Sequence, residues 1–182
     1  MSKIVVVVGS LRAESYNRQF AEALTRLPTA SGHEFVFADI GALPLYDQDD
    51  DGDQAQSVKD LKALVRSSDG VIFVTPEYNR SIPGVLKNAI DNASRPYGDS
   101  AWAGKPAGVI GVSVGAIGTA LSQQHLRNVL AYLDMPTLGA PEAFIQWKDG
   151  LITPDGTVGE QSAGFVGGWL EAFLALVARH KD

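Results

Sequence analysis

Apolar residues follow two alternating rhythms along the chain. Ile4–Val8 is an unbroken β-branched run, the pattern of a strand buried on both faces. Gly70–Val74 and Ala107–Val112 repeat it. Between these runs apolar positions recur at helical spacing. Tyr16, Phe20, Leu24 and Leu27 follow a Ser15 cap and predict a helix to about Arg26. Val58, Leu61, Leu64 and Val65 predict a second helix, and Val85–Ala93 a short third. Thr119–Leu133 predicts a fourth, with Leu121, Leu126, Val129, Leu130 and Leu133 inward. Phe165–Val177 predicts a closing helix, apolar at Phe165, Trp169, Leu170, Phe173 and Leu176. Phe35, Phe37 and Ile40 alternate as a second strand, and Thr137–Phe144 reads as an irregular fifth. Strands alternating with helices predict an α/β fold, a parallel sheet covered on both sides with right-handed crossovers. A ligand is then expected at the carboxyl ends of the strands, in the loops starting at Gly9, Thr75 and Ser113.

Composition narrows the classes. A chain of 182 residues is expected to form a single domain, 1–182, with a sizeable core. A net charge of -6 disfavours a nucleic-acid-coating role, which needs a basic face. The absence of cysteine excludes disulfides, thiolate metal sites, iron–sulfur clusters and Cys nucleophiles. No apolar run approaches about 18 residues, so no membrane span is expected. Met1-Ser2-Lys3 leads straight into Ile4–Val8 without the pattern of a signal peptide, and a cytoplasmic protein is the expectation.

Each loop has a chemical and a bland reading. In Gly9–Asn17, the side chains of Ser10, Ser15 and Asn17, the Arg12 fork and the N–H groups of a helix start make a phosphate cradle. The loop is neither G-x-G-x-x-G nor a Walker A sequence, and its bland reading is a capped turn with a surface Arg. Thr75–Gly84 is stiffened by Pro76 and Pro83, and its Tyr78 offers a face to a flat heterocycle; the bland reading is a rigid connection. In the loop Gly111–Thr119, Gly111–Gly115 matches G-x-S-x-G, so a serine hydrolase using Ser113 with Asp134 and His180 stays open as a lesser reading. The competing view has the glycines admit a ligand to the backbone while Ser113 hydrogen-bonds to it. Asp47–Gly52 opens like a calcium-binding loop, but Val58 stands where the bidentate Glu belongs, so a solvated acidic loop is expected. His33, His125 and His180 do not cluster, which argues against zinc. Trp102, Trp147 and Trp169 read as packing or interface residues.

Together, G-S-L-R-x-x-S-x-N at Gly9–Asn17, P-E-Y-N-x-S-x-P-G-x-L-K-N-A-I-D at Pro76–Asp91 and S-x-G-x-x-G at Ser113–Gly118 resemble the NADPH-dependent FMN reductase family. That family includes bacterial chromate and quinone reductases, and Gln124-His125-Leu126-Arg127 is similar to the same subgroup. The resemblance implies a flavodoxin-like three-layer sandwich with sheet order 2-1-3-4-5. It implies bound FMN, with NADPH or NADH as co-substrate. Ser10, Arg12, Ser15 and Asn17 would hold the FMN phosphate. Pro76, Glu77, Tyr78 and Asn79 would line the isoalloxazine, largely through backbone groups, and Ser113 and Gly115 would contact the flavin or its ribityl chain. Hydride would pass from nicotinamide to flavin N5 and on to a small acceptor: a quinone, chromate, an azo compound or free flavin. No catalytic side chain is implied, because the flavin carries the chemistry. Backbone N–H groups of the third loop would stabilise the reduced flavin. A homodimer or homotetramer is implied, with Arg127-like residues between subunits. One departure is Asn92, where relatives often carry Trp. An electron-carrying flavodoxin-like protein and an FMN-free structural module are the remaining alternatives.

Overall fold

The computed structural model describes residues 1–181. β1 (Lys3–Val8) leads into α1 (Tyr16–Leu24), β2 (Glu34–Phe37), α2 (Gln56–Arg66), β3 (Gly70–Val74) and α3 (Gly84–Ala93). β4 (Ala107–Ser113), α4 (Ala120–Tyr132), β5 (Phe144–Gln146) and α5 (Glu160–Arg179) follow. The strands form one parallel sheet in the order β2-β1-β3-β4-β5.

Strand periodicity divides the core into two layers. Ile4, Val6, Val8, Ile72, Val74, Ile110 and Val112 face α1 and α5. Val5, Val7, Val71, Phe73, Ala107 and Val109 face α2, α3 and α4. On the first side Trp169 and Phe173 of α5 stack 6.0 Å apart. A methyl group at Gly108 would stand 2.9 Å from either ring, so the strand stays bare where the aromatics lie. On the second side Trp102 packs against Phe73 and donates from Nε1 to the Ile90 carbonyl at 3.0 Å.

Three elements differ from expectation. The fifth strand is Phe144–Gln146, not Thr137–Phe144. Thr137 bridges only to Ala107, at the start of β4; the chain then leaves the ladder through Gly139-Ala140-Pro141 and returns to pair with Gly111–Ser113. Proline has no N–H to give, so the pairing splits there. In α4 the fully buried positions include Ser122 and Gln123, while Leu121, Val129 and Leu133 are only half-buried. α5 begins five residues before the expected Phe165, which is itself half exposed. At 20 residues it is long and apolar enough by composition to cross a membrane, although glycines and polar residues interrupt its apolar positions. Its Val166, Trp169, Leu170, Phe173 and Val177 are buried against the sheet.

Candidate functional site

The first loop leaves β1 at Gly9, whose N–H is held by the Val74 carbonyl at 2.9 Å. Ser15 caps α1, its Oγ accepting from Arg18 N at 3.2 Å. The Tyr16 and Asn17 amides precede the first intrahelical bond, Gln19 N to Ser15 O, and among the described residues no carbonyl takes them. Arg12 is exposed, its guanidinium 5.2 Å from the centre of the Tyr16 ring, and no carboxylate of the described residues pairs with it. Ser10 and Ser15 lie on the same loop, at its start and at the α1 cap. This donor set suits a phosphate: an unpaired guanidinium, hydroxyls and open amides at a helix start. Asn17 contributes differently from expectation. Its Nδ2 donates to the Val112 carbonyl and its Oδ1 accepts from Val112 N, both at 2.9 Å, so the buried amide fastens α1 to the end of β4.

The second loop is a tight hairpin. Tyr78 and Ser81 exchange both backbone hydrogen bonds at 3.0 Å, with Asn79 at φ 52° and Arg80 at φ 64° on the tip. Pro76 is buried at its base, where its carbonyl accepts from Thr75 Oγ1 and Ser122 Oγ at 2.8 and 2.9 Å. The Glu77 carboxylate turns toward α4, accepting from Leu121 N at 3.0 Å and Ser122 N at 3.2 Å. It therefore caps that helix from outside, and its charge faces the positive end of the dipole. Tyr78 projects outward. His125 of α4 meets the hairpin at Ser81 Oγ, 2.9 Å away.

The third loop follows β4. Ser113 Oγ accepts from Gly115 N at 3.2 Å, and Gly118 N donates to the Gly115 carbonyl at 3.0 Å. The glycines serve different purposes. A side chain at Gly111 would overlap the Thr75 carbonyl, and one at Gly118, where φ is +60°, would come within 2.7 Å of Ile145 N. Only Gly115 faces open space, 3.6 Å from Ser113 Oγ. The Ala116 and Ile117 amides have no partner among the described residues, so they are among the donors this loop offers.

The three loops converge at one end of the sheet. The same three loops carry exposed apolar side chains, Leu11 (62% exposed) on the first, Tyr78 (52%) on the second, Val114 (64%) and Ile117 (49%) on the third. Exposed apolar groups on loops that share a sheet end with an anion cradle fit a flat aromatic ligand carrying a phosphate tail, which is the shape of FMN. One contributor was not legible in sequence. Trp147, just past β5, stacks on Tyr16 with ring centres 4.4 Å apart, and its main-chain amide donates to the Ser113 carbonyl at 2.8 Å.

The hydrolase constellation is not assembled. Ser113 lies at the carboxyl end of β4, whereas Asp134 follows the far end of α4, where its carbonyl accepts from Gly104 N near the start of β4. His180 ends α5, with Nδ1 3.0 Å from the Leu176 carbonyl. The acidic loop forms a 3₁₀ turn capped by Asp47, while Asp51 faces the Tyr46 hydroxyl at 3.3 Å and Asp53 pairs with Lys59. Asn92 is buried and donates to the Pro44 carbonyl at 3.1 Å; neighbouring Asn88 donates to the same oxygen at 2.8 Å.

Comparison with known proteins agrees with this geometry. Residues 2–148 match the model of the NADPH-dependent FMN reductase family. A 2-hydroxy-1,4-benzoquinone reductase of a Burkholderia species is 49% identical over 176 residues, 96% of each chain. A quinone reductase of Pseudomonas putida is 45% identical over 96% of this chain and 94% of its own. Among solved structures, the flavoenzyme NAD(P)H:(acceptor) oxidoreductase FerB of Paracoccus denitrificans superposes with a TM-score of 0.94 at 44% identity, covering 99% of both chains.

Proposed function

The chain belongs to the NADPH-dependent FMN reductase family, and we propose that it reduces quinones at the three-loop site. It is an oxidoreductase with FMN as cofactor and NAD(P)H as donor. The observation that carries the site assignment is an Arg12 unpaired among the described residues and an open α1 start, at the sheet end whose loops also expose Leu11, Tyr78, Val114 and Ile117. FMN supplies the redox chemistry by accepting hydride from the nicotinamide and yielding electrons to the acceptor.

The chain's own residues bind, orient and polarise. Arg12, Ser10, Ser15 and the first amides of α1 neutralise the phosphate. The hairpin at Pro76–Asn79 is rigid because Thr75, Ser122 and Glu77 anchor it to α4, and it would line the isoalloxazine of a bound FMN. The Ala116 and Ile117 amides point charge-stabilising dipoles from the third loop, with Ser113 and Gly115 shaping its open turn. The half-exposed Tyr78 leaves one side of the site accessible to small planar acceptors in turn.

The described fold forms one FMN-binding domain in this reading, working in the cytoplasm, where reduced nicotinamide is supplied. The assembly is a homodimer or homotetramer. Its contact is the α3–α4 face, where a cavity of about 670 Å³ lies beside one of about 600 Å³. Tyr97 and Tyr132 stand 87% and 83% exposed there, a surface suited to a second copy.

The test is an absorption spectrum of the purified, FMN-loaded protein before and after NADPH is added without oxygen, followed by addition of a benzoquinone. Bleaching reversed by the quinone is expected. A flavin that NADPH and NADH both leave oxidised would point to an electron carrier instead.

A further inference from the structure

We propose that Tyr16, backed by Trp147, is the positioning residue that holds Arg12 ready for the FMN phosphate and so sets the preference for FMN over unphosphorylated flavin. The inference rests on the cofactor reading above.

Arg12 is exposed and pairs with no carboxylate of the described residues, so nothing ionic fixes its side chain. What fixes it is a ring, since its guanidinium lies 5.2 Å from the Tyr16 centroid, within cation–π range. Tyr16 cannot swing away from Arg12 without losing its own packing. It is the first residue of α1, and its ring also stacks on Trp147 at 4.4 Å and 24°. The Trp147 main-chain amide donates to the Ser113 carbonyl, which fixes the backbone there, and its ring packs on the apolar layer under α1 and α5. Two segments distant in sequence therefore meet at the Tyr16 ring, and a third, at Ser113, anchors the main chain of one of them.

An arginine restrained without a carboxylate keeps its full charge for an incoming anion. It also loses less rotamer freedom on binding, which is where preorganisation adds affinity. The stack should consequently matter only for a ligand that carries the anion.

The test compares FMN with riboflavin, titrated by fluorescence against the wild type, Tyr16→Leu, Tyr16→Phe and Trp147→Leu, each also combined with Arg12→Ala. Tyr16→Leu is expected to weaken FMN about two- to fivefold, the size of an exposed cation–π contact, and to leave riboflavin unchanged. Tyr16→Phe keeps a ring and should keep the preference. In the Arg12→Ala background Tyr16→Leu should add nothing further. If Tyr16→Leu fails to fold, Trp147→Leu reads the same ratio by removing the ring that backs Tyr16.

Equal losses for both flavins would overturn the proposal, because the rings would then touch the flavin itself. So would an unchanged ratio, or the same loss with Arg12 already removed. A wild type that binds neither flavin would reject the cofactor reading. A wild type with an Arg12-dependent FMN preference that the ring variants do not alter would reject this inference alone.

Discussion

Arg12 and Glu77 carry opposite charges at the same end of the sheet, and their surroundings give them opposite tasks. Arg12 is unpaired among the described residues and free to meet an anion. Replacing it with Ala removes a charge-assisted contact of about 1.5–3 kcal/mol, so FMN affinity should fall roughly ten- to a hundredfold. Fluorescence titration checks this; unchanged affinity would mean the phosphate lies elsewhere. Glu77 is spent on the Leu121 and Ser122 amides. Glu77→Ala leaves those amides uncapped, at a cost of about 1 kcal/mol, and frees the hairpin from α4. Denaturant unfolding should show that loss, and Glu77→Gln, which keeps an acceptor oxygen, should recover part of it. Sequence placed Ser10, Arg12, Ser15 and Tyr78 at the carboxyl end of the sheet, where the structure also has them, because each sits in a loop that follows a strand. It did not reveal what Asn17 and Glu77 bind, since the partners lie 95 and 44 residues away along the chain. Local spacing carries no record of such pairings.

The long, uniformly periodic elements were legible and the short, interrupted ones were not. β1, β3 and β4 are buried on both faces, and their apolar runs state it directly. β5 has three residues and draws its pairing from β4 rather than from its own pattern. α4 buries Ser122 and Gln123 because the hairpin base and the segment before β5 offer them hydrogen bonds, which no hydrophobicity count detects. The departure at Asn92 likewise has a local meaning. With Asn88, it clamps the Pro44 carbonyl and holds the segment after β2 against α3. Asn92→Ala should cost about 1–2 kcal/mol, in the range for removing one partner of a buried hydrogen bond. Limited proteolysis should become faster within 41–53; an unchanged cleavage rate would show that Asn88 suffices.

Across the whole molecule, charge pairs join elements that the core alone does not. Lys62 on α2 is almost wholly buried, and it bonds to Asp99 Oδ2 at 2.7 Å and to the Arg95 carbonyl. Arg66 holds the other Asp99 oxygen. The Lys62 hydrogen bond, opposed by burial, keeps the Asp99 carboxyl below its ordinary range. A depressed carboxylate contributes stability in full above its unfolded pKa, about 3.9, and loses it as pH falls through the lower folded value. Wild type should therefore exceed Asp99→Asn in urea midpoint at pH 7, and the gap should close toward about pH 2. A gap that persists in acid would assign the effect to packing. The sheet order was legible as a consequence of the family resemblance. The pairing of α2 with the segment after α3 was not, because a lysine reads as a surface residue until its burial is seen.

The shortness of the two outer strands has a consequence for behaviour at high concentration. β2 has four residues and β5 three, and Pro141 removes a donor just before the latter. Neither border offers the long row of open backbone groups on which another chain builds an intermolecular sheet. Self-association is thereby steered away from cross-β stacking and toward side-chain contacts on the helices, so concentrated solutions should form defined oligomers before they form fibrils.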